Sequence, residues 1–167
     1  GQLLAADGRL CAGPTPDGCR RCFPERPSID LALRDLAVRD AFRADRPERS
    51  ILVGDLNIAP LEHDVWSHRQ MLDVVSHTPV EVEAMRAWQA TGFVDAVRHF
   101  VPDDRKLYTW WSYRNRDWRA SDRGRRLDHI WITPDLAPGL RRQEVLKDAR
   151  DWPRTSDHVP VLVEVEV

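Results

Sequence analysis

Four short stretches carry side chains able to do chemistry. Gly54-Asp55-Leu56-Asn57 follows an apolar run. Residues two apart on a strand share a face, so Asp55 and Asn57 would point together from the strand's C-terminal end. A carboxylate there can take a proton from water or bind a hard cation, and an amide can donate to a phosphate oxygen. Gly, Asp and Asn are also turn formers, and a plain turn accounts for this tetrapeptide taken alone. Thr155-Ser156-Asp157-His158 sets an acid beside an imidazole that can hydrogen-bond or protonate a phosphate oxygen. A capped loop would explain it equally well. Asp128 lies in Arg126-Leu127-Asp128-His129-Ile130-Trp131, where a carboxylate among apolar neighbours is costly without a partner. That partner is either a structural salt bridge or a histidine whose tautomer it fixes. His129 alternates onto the other face and reads as structural. The fourth stretch, Tyr108 to Arg116, interleaves aromatics with arginines, which gives cations for phosphates and flat rings for bases or sugars. A core cluster beside a solvated basic loop has the same composition, and Trp111 in particular is expected in the core.

The elements that must position these groups are legible in outline. Ile51-Leu52-Val53-Gly54 is a short apolar run bounded by polar residues, which predicts a buried strand. Thr78-Pro79-Val80-Glu81 has the cap, the proline at the first position and the acid three residues after the cap that open a helix. That helix should run to about Thr91 and end at Gly92. Leu127 to Thr133 reads as a second strand. Val159 to Val167 reads as a third, with alternation that leaves one face wet. Ser28 to Ala44 has a helical apolar period with Ser28 as cap. Strands mixed with helices give an α/β or α+β layered domain.

The 167 residues suffice for one ordinary domain, and 42% hydrophobic with 31% charged residues is a globular composition. The net charge of -2 is not the bulk signature of a nucleic-acid binder, but local charge decides that question. Between Arg105 and Arg126 there are eight basic residues and two acidic ones, a local excess of +6. No run is long enough to span a bilayer and Gly1 to Arg9 lacks the form of a signal peptide, so the expected location is the cytoplasm. Cys11, Cys19 and Cys22 are odd in number with no histidine nearby, which favours reduced thiols over a disulfide framework or a zinc site.

In their order and spacing, Gly54-Asp55-Leu56-Asn57-Ile58-Ala59-Pro60, Tyr108-Thr109-Trp110-Trp111-Ser112-Tyr113, Arg126-Leu127-Asp128 and Ser156-Asp157-His158 resemble the endonuclease/exonuclease/phosphatase superfamily, and within it the exonuclease III branch. The resemblance covers about residues 50–167. It implies an α/β fold: half of a four-layered, DNase I-like sandwich, with a mixed, mainly antiparallel sheet and flanking helices. It further implies that Asp55 activates water, Asn57 holds the scissile phosphate, Asp128 buttresses His158, and His158 contacts the phosphate. Asp55, Asn57, Asp157 and His158 would lie at a divalent metal, Mg2+ or alternatively Mn2+. Trp110, Tyr113, Arg114, Arg116 and Arg125 would meet DNA. The implied reaction is phosphodiester hydrolysis, as a 3′-5′ exodeoxyribonuclease and abasic-site endonuclease. The implied partner is double-stranded DNA with abasic sites or 3′ ends, with no membrane partner.

The sequence departs from that pattern in two places. Arg125 stands where the family carries Leu or Trp in its pocket. Residues 1–49, a Cys- and Pro-rich loop plus a helix, do not match the family's N-terminal half, which supplies a metal-binding Glu, an Asn and a Tyr. They faintly resemble a segment of bacterial glycosyltransferases of the two-Rossmann type, as though two fragments were joined near residues 44–50. The expectation is therefore weak or absent turnover by this chain alone, with self-association or a complementing N-terminal half covering the sheet. A non-catalytic DNA-binding remnant and a glycosyltransferase-derived fusion are the alternatives.

Overall fold

The computed structural model describes residues 48–167. The helix expected over Ser28 to Ala44 and the three cysteines lie outside the described residues. A three-stranded antiparallel sheet carries the site. Strand β1 (Ile51–Asp55) pairs with β3 (Asp128–Ile132), which pairs on its other side with the short β2 (Val94–Asp95). The register sets Val53 opposite Ile130 and Asp55 opposite Asp128. A separate antiparallel pair joins β4 (Leu140–Val145) to β5 (Val161–Val165).

Alternation along the strands separates two faces. Leu52 and Trp131 turn one way and pack with Ile58, Met85 and Trp88 against helix α2 (Pro79–Gln89), which follows the short α1 (His68–Met71). Trp88 meets Trp131 edge-on at 5.1 Å between ring centroids. Ile130 and Ile132 turn the other way, toward Leu140, Val163 and Val165 of the two-stranded sheet. A helix, the central sheet and the strand pair thus stack in layers.

The predicted strands form; β1 runs one residue past its apolar run, and β3 and β5 are slightly shorter than theirs. β1 differs from expectation, because it is not buried. Ile51 is 49% exposed and Val53 65% exposed. Among the described residues β1 is an edge strand with a single neighbour, and only its Leu52 side is covered by the core. β5 has the expected alternation, with Val161, Val163 and Val165 half-buried and Leu162 and Glu164 exposed.

Helix α2 starts where its signals place it. The Glu81 carboxylate accepts from Thr78 N (3.1 Å), Thr78 Oγ1 (2.6 Å) and Ser76 N (3.0 Å). It thereby satisfies donors that the first turn leaves open. The helix ends at Gln89, and Gly92 takes a φ of 124°, which favours glycine.

Beneath β3 lies a buried ionic network. Arg126 Nε is 3.0 Å from Asp64 Oδ1 and Arg126 Nη1 is 2.6 Å from Asp95 Oδ2, while Arg98 also pairs with Asp64. All four side chains are almost wholly removed from solvent, so the charges are tolerated only because each is paired. The network ties the end of β2 and the turn at Glu62–Asp64 to the residues leading into β3.

Candidate active site

Asp55 ends β1 and Asp128 begins β3, and the antiparallel register puts them directly opposite each other. Beyond Asp55 the chain turns sharply. Asn57 takes a left-handed conformation with φ 57°, and its N–H donates to Asp55 Oδ1 at 3.0 Å. Asn is one of the few residues that adopts this conformation readily, so the turn-forming character of the tetrapeptide is what aims its carboxylate.

His158 arrives from the segment before β5 through a backbone bridge to Trp110. Its Nδ1 lies 2.9 and 3.1 Å from the two Asp128 oxygens, and its Nε2 lies 3.7 Å from Asp55 Oδ2. Nδ1–H therefore donates to Asp128, which leaves Nε2 facing Asp55. Asp128 is braced in turn: the buried Thr109 hydroxyl accepts from both Leu127 N and Asp128 N at 3.1 Å.

Ligand atoms of Asp55, Asp128 and His158 all lie within 4.8 Å of one another, the one such three-residue group among the described residues. Partial burial raises the Asp55 pKa, with the Asp128 carboxylate adding to the rise and the Asn57 N–H and His158 opposing it. Two carboxylate oxygens and an imidazole nitrogen around one point fit a divalent cation, and the facing carboxylates give that cation a favourable charge. Asn57 is adjacent and exposed. Asp157, expected at the metal, does not join the group. Its carboxylate accepts from Trp110 Nε1 at 2.9 Å, which fixes the ring beside the site. His129 is structural as expected. It is buried on the opposite face with Nε2 2.8 Å from the Ile58 carbonyl, and burial together with the nearby Arg126 charge lowers its pKa to about 3.

The aromatic and basic stretch divides as composition suggested. Trp111 is core, Trp110 is half-buried, and Tyr113, Arg114 and Arg116 are exposed. The Arg125 guanidinium lies 5.1 Å over the Trp110 ring, and its Nη1 donates to Val75 O at 3.2 Å and Ser76 Oγ at 3.0 Å. Burial lowers the Arg125 pKa. Gly124 next to it has no room for a Cβ, which would come within 2.6 Å of the Tyr108 ring.

A cavity of about 770 Å3 opens here, lined among others by Trp66, Trp110, Arg114, Arg123 and Arg125. Trp66, Arg123 and Thr109 were not singled out from sequence. Trp66 and Arg123 stack at 4.6 Å although 57 positions apart, and only the fold brings them together. Among the described residues no helix is long and apolar enough to cross a membrane.

The model of the Endonuclease/Exonuclease/phosphatase family matches residues 4–158. An exodeoxyribonuclease of Bacillus subtilis is 32% identical over 125 residues, 74% of this chain and 47% of the relative. The DNA repair nuclease APEX1 of Danio rerio is 32% identical over 117 residues, 70% of this chain and 36% of the relative. Among solved structures, an AP endonuclease from Archaeoglobus fulgidus superposes with a TM-score of 0.78 at 25% identity, covering 83% of this chain and 54% of that one. A 3′-5′ exonuclease from Neisseria meningitidis gives 0.74 at 28% identity, covering 86% and 56%. The chain thus spans about half the length of the relatives it matches. The glycosyltransferase resemblance finds no support, and the family match itself begins at residue 4.

Proposed function

Because the chain belongs to the endonuclease/exonuclease/phosphatase family, with relatives that are exodeoxyribonucleases and DNA repair nucleases, we propose that its Asp55–Asp128–His158 site serves metal-dependent hydrolysis of DNA phosphodiesters. The substrates proposed are duplexes with abasic sites or 3′ ends. The observation that carries this reading is the orientation of His158, with Nδ1 held by Asp128 and Nε2 presented to the space beside Asp55.

In that space Asp55 takes the proton of the attacking water, and its raised pKa makes it a better base than an ordinary aspartate. His158, with Nδ1–H on Asp128, acts in the form that also carries a proton on Nε2, and that N–H donates to a phosphate oxygen where charge develops. The Asn57 amide, beyond the left-handed turn, donates to the same phosphate. Trp110 walls the approach, and Tyr113, Arg114, Arg116 and Arg125 meet the strand. Mg2+ or Mn2+, held by the Asp55 and Asp128 carboxylates, would act as Lewis acid on the phosphate. The products are a 3′-hydroxyl and a 5′-phosphate.

Cleavage of a duplex carrying one abasic site, with Mg2+ and with chelator, tests the proposal against Asp55→Ala. Chelator-sensitive cutting that the substitution abolishes supports it. Binding without cutting, by protein shown to be folded, would leave the chain as a DNA-binding module whose turnover needs a second chain.

A further inference from the structure

Resting on the hydrolase reading, we propose that Trp152 is a stacking platform for an unpaired nucleobase, so that the site favours single-stranded or frayed strand ends over fully paired duplex. Trp152 is 58% exposed and lies six residues before His158. On a slack loop such a ring would mean little, since single exposed hydrophobics are common. Here the backbone that carries the ring is held on both sides. Asp151 accepts from Trp118 Nε1 at 2.8 Å and Arg119 Nε at 2.6 Å. Trp152 N bonds the Ala149 carbonyl at 3.2 Å, and Thr155 Oγ1 donates to the same carbonyl at 2.6 Å. The exposure is thus built into an anchored loop.

A second aromatic is joined to that loop. Tyr113 is also 58% exposed, and its hydroxyl donates to the Thr155 carbonyl at 2.7 Å. The Arg150 guanidinium lies 4.8 Å from the Tyr113 ring centre. Trp111 N to Asp157 O, at 2.9 Å, fastens the same two segments nearer the site. Two outward rings therefore stand on linked loops flanking Ser156 to His158, with Arg114, Arg116 and Arg154 exposed around them.

The cations suit phosphates of any strand. The rings add something that charge does not, because a base inside a duplex has both faces covered by its neighbours. Only an unpaired or terminal base offers a face to an indole, and every base offers one, so the preference is for strand state and not for sequence.

The test compares Trp152→Ala, Trp152→Leu and Trp152→Phe. Anisotropy in chelator measures binding of a labelled single strand and of a duplex of the same sequence closed at both ends by non-nucleotide linkers. Stacking of one base predicts that Ala and Leu each weaken single-strand binding by about 5-fold or more. Phe should stay within about 3-fold of wild type, and duplex binding should stay within about 2-fold for all three. A leucine variant that binds single strand as well as wild type overturns the proposal, as does an equal loss on both nucleic acids. Cleavage with Mg2+ of duplexes with frayed or paired 3′ ends forms the second arm, and Ala should lower the frayed-to-paired ratio. If wild type cuts neither duplex while the binding arm behaves as expected, the hydrolase reading fails and the platform stands.

Discussion

Replacing Arg126 with leucine probes how far the site depends on charges buried beneath it. The guanidinium bridges Asp64 and Asp95, both nearly inaccessible to solvent. In Arg126→Leu, Asp64 keeps Arg98, while Asp95 keeps only the N–H groups of Val97 (3.1 Å) and Arg98 (3.0 Å). Breaking one buried pair and stranding its partner costs about 3–5 kcal/mol, a large part of the ~5–15 kcal/mol that stabilises an ordinary domain. The loss should depend on pH in a definite sense. In wild type, burial acts to raise the Asp95 pKa, but the Arg126 charge and the hydrogen bonds from Arg98 N–H and Arg126 together outweigh it and the value falls below 3.8. That contribution is present above 3.8 and is lost as pH falls through the lowered folded value. Without Arg126 only burial and the two N–H bonds remain, so the folded pKa rises and protonation relieves the stranded charge. Urea unfolding followed by tryptophan fluorescence should therefore show a deficit of about 3–5 kcal/mol near neutrality that shrinks toward acid pH. Asp95→Asn combined with Arg126→Leu should recover part of it. A deficit under ~1 kcal/mol, the level of a surface ion pair, or one equal at both pH values, would refute the reasoning.

Three further outcomes are expected. His129 is neutral in the fold, with a pKa of about 3 against 6.5 when unfolded, so stability is full above 6.5 and declines as pH falls toward 3. Unfolding midpoints should show that slope, up to about 1.4 kcal/mol per pH unit, and His129→Gln should flatten it. Asp128→Asn removes the carboxylate that orients His158, and abasic-site cleavage should drop about 10–100-fold with little change in DNA affinity; an unaltered rate counts against the positioning role. Arg114→Ala and Arg116→Ala should each reduce the slope of log affinity against log salt by about 0.9 if each meets one phosphate, and a slope equal to wild type removes that residue from the interface.

What could be read from the sequence was what its local rules specify. Thr78, Pro79 and Glu81 fix a helix start within four residues, and the structure starts α2 there. Asp128 was conspicuous as a carboxylate in an apolar strand, and its partner was one of the two kinds expected, a histidine. β4 escaped because Leu140-Arg141-Arg142-Gln143-Glu144-Val145 has neither alternation nor apolar density, and it is held by pairing with β5. The exposure of β1 escaped for the opposite reason. Apolarity predicts burial only where another layer is present to cover it, and edge position is a property of the sheet.

Arg125 and Arg126 mark the limit of local reasoning. They are adjacent and identical, yet one guanidinium lies over Trp110 at the cavity and the other is buried between Asp64 and Asp95. Alternation across the strand-like approach to β3 sends them to opposite sides, and which side holds acids depends on segments 31 and 62 residues away. Within β3 itself, Asp128 faces the site and His129 the core. Moving the register by one residue would flip β3, putting His129 beside Asp55 and turning Asp128 toward Met85 and Trp88, exchanging a paired carboxylate for an unpaired one. The buried arginine, two residues before Asp128 and paired with both Asp64 and Asp95, thus anchors the entry to the strand that sets Asp128 opposite Asp55 and within reach of His158.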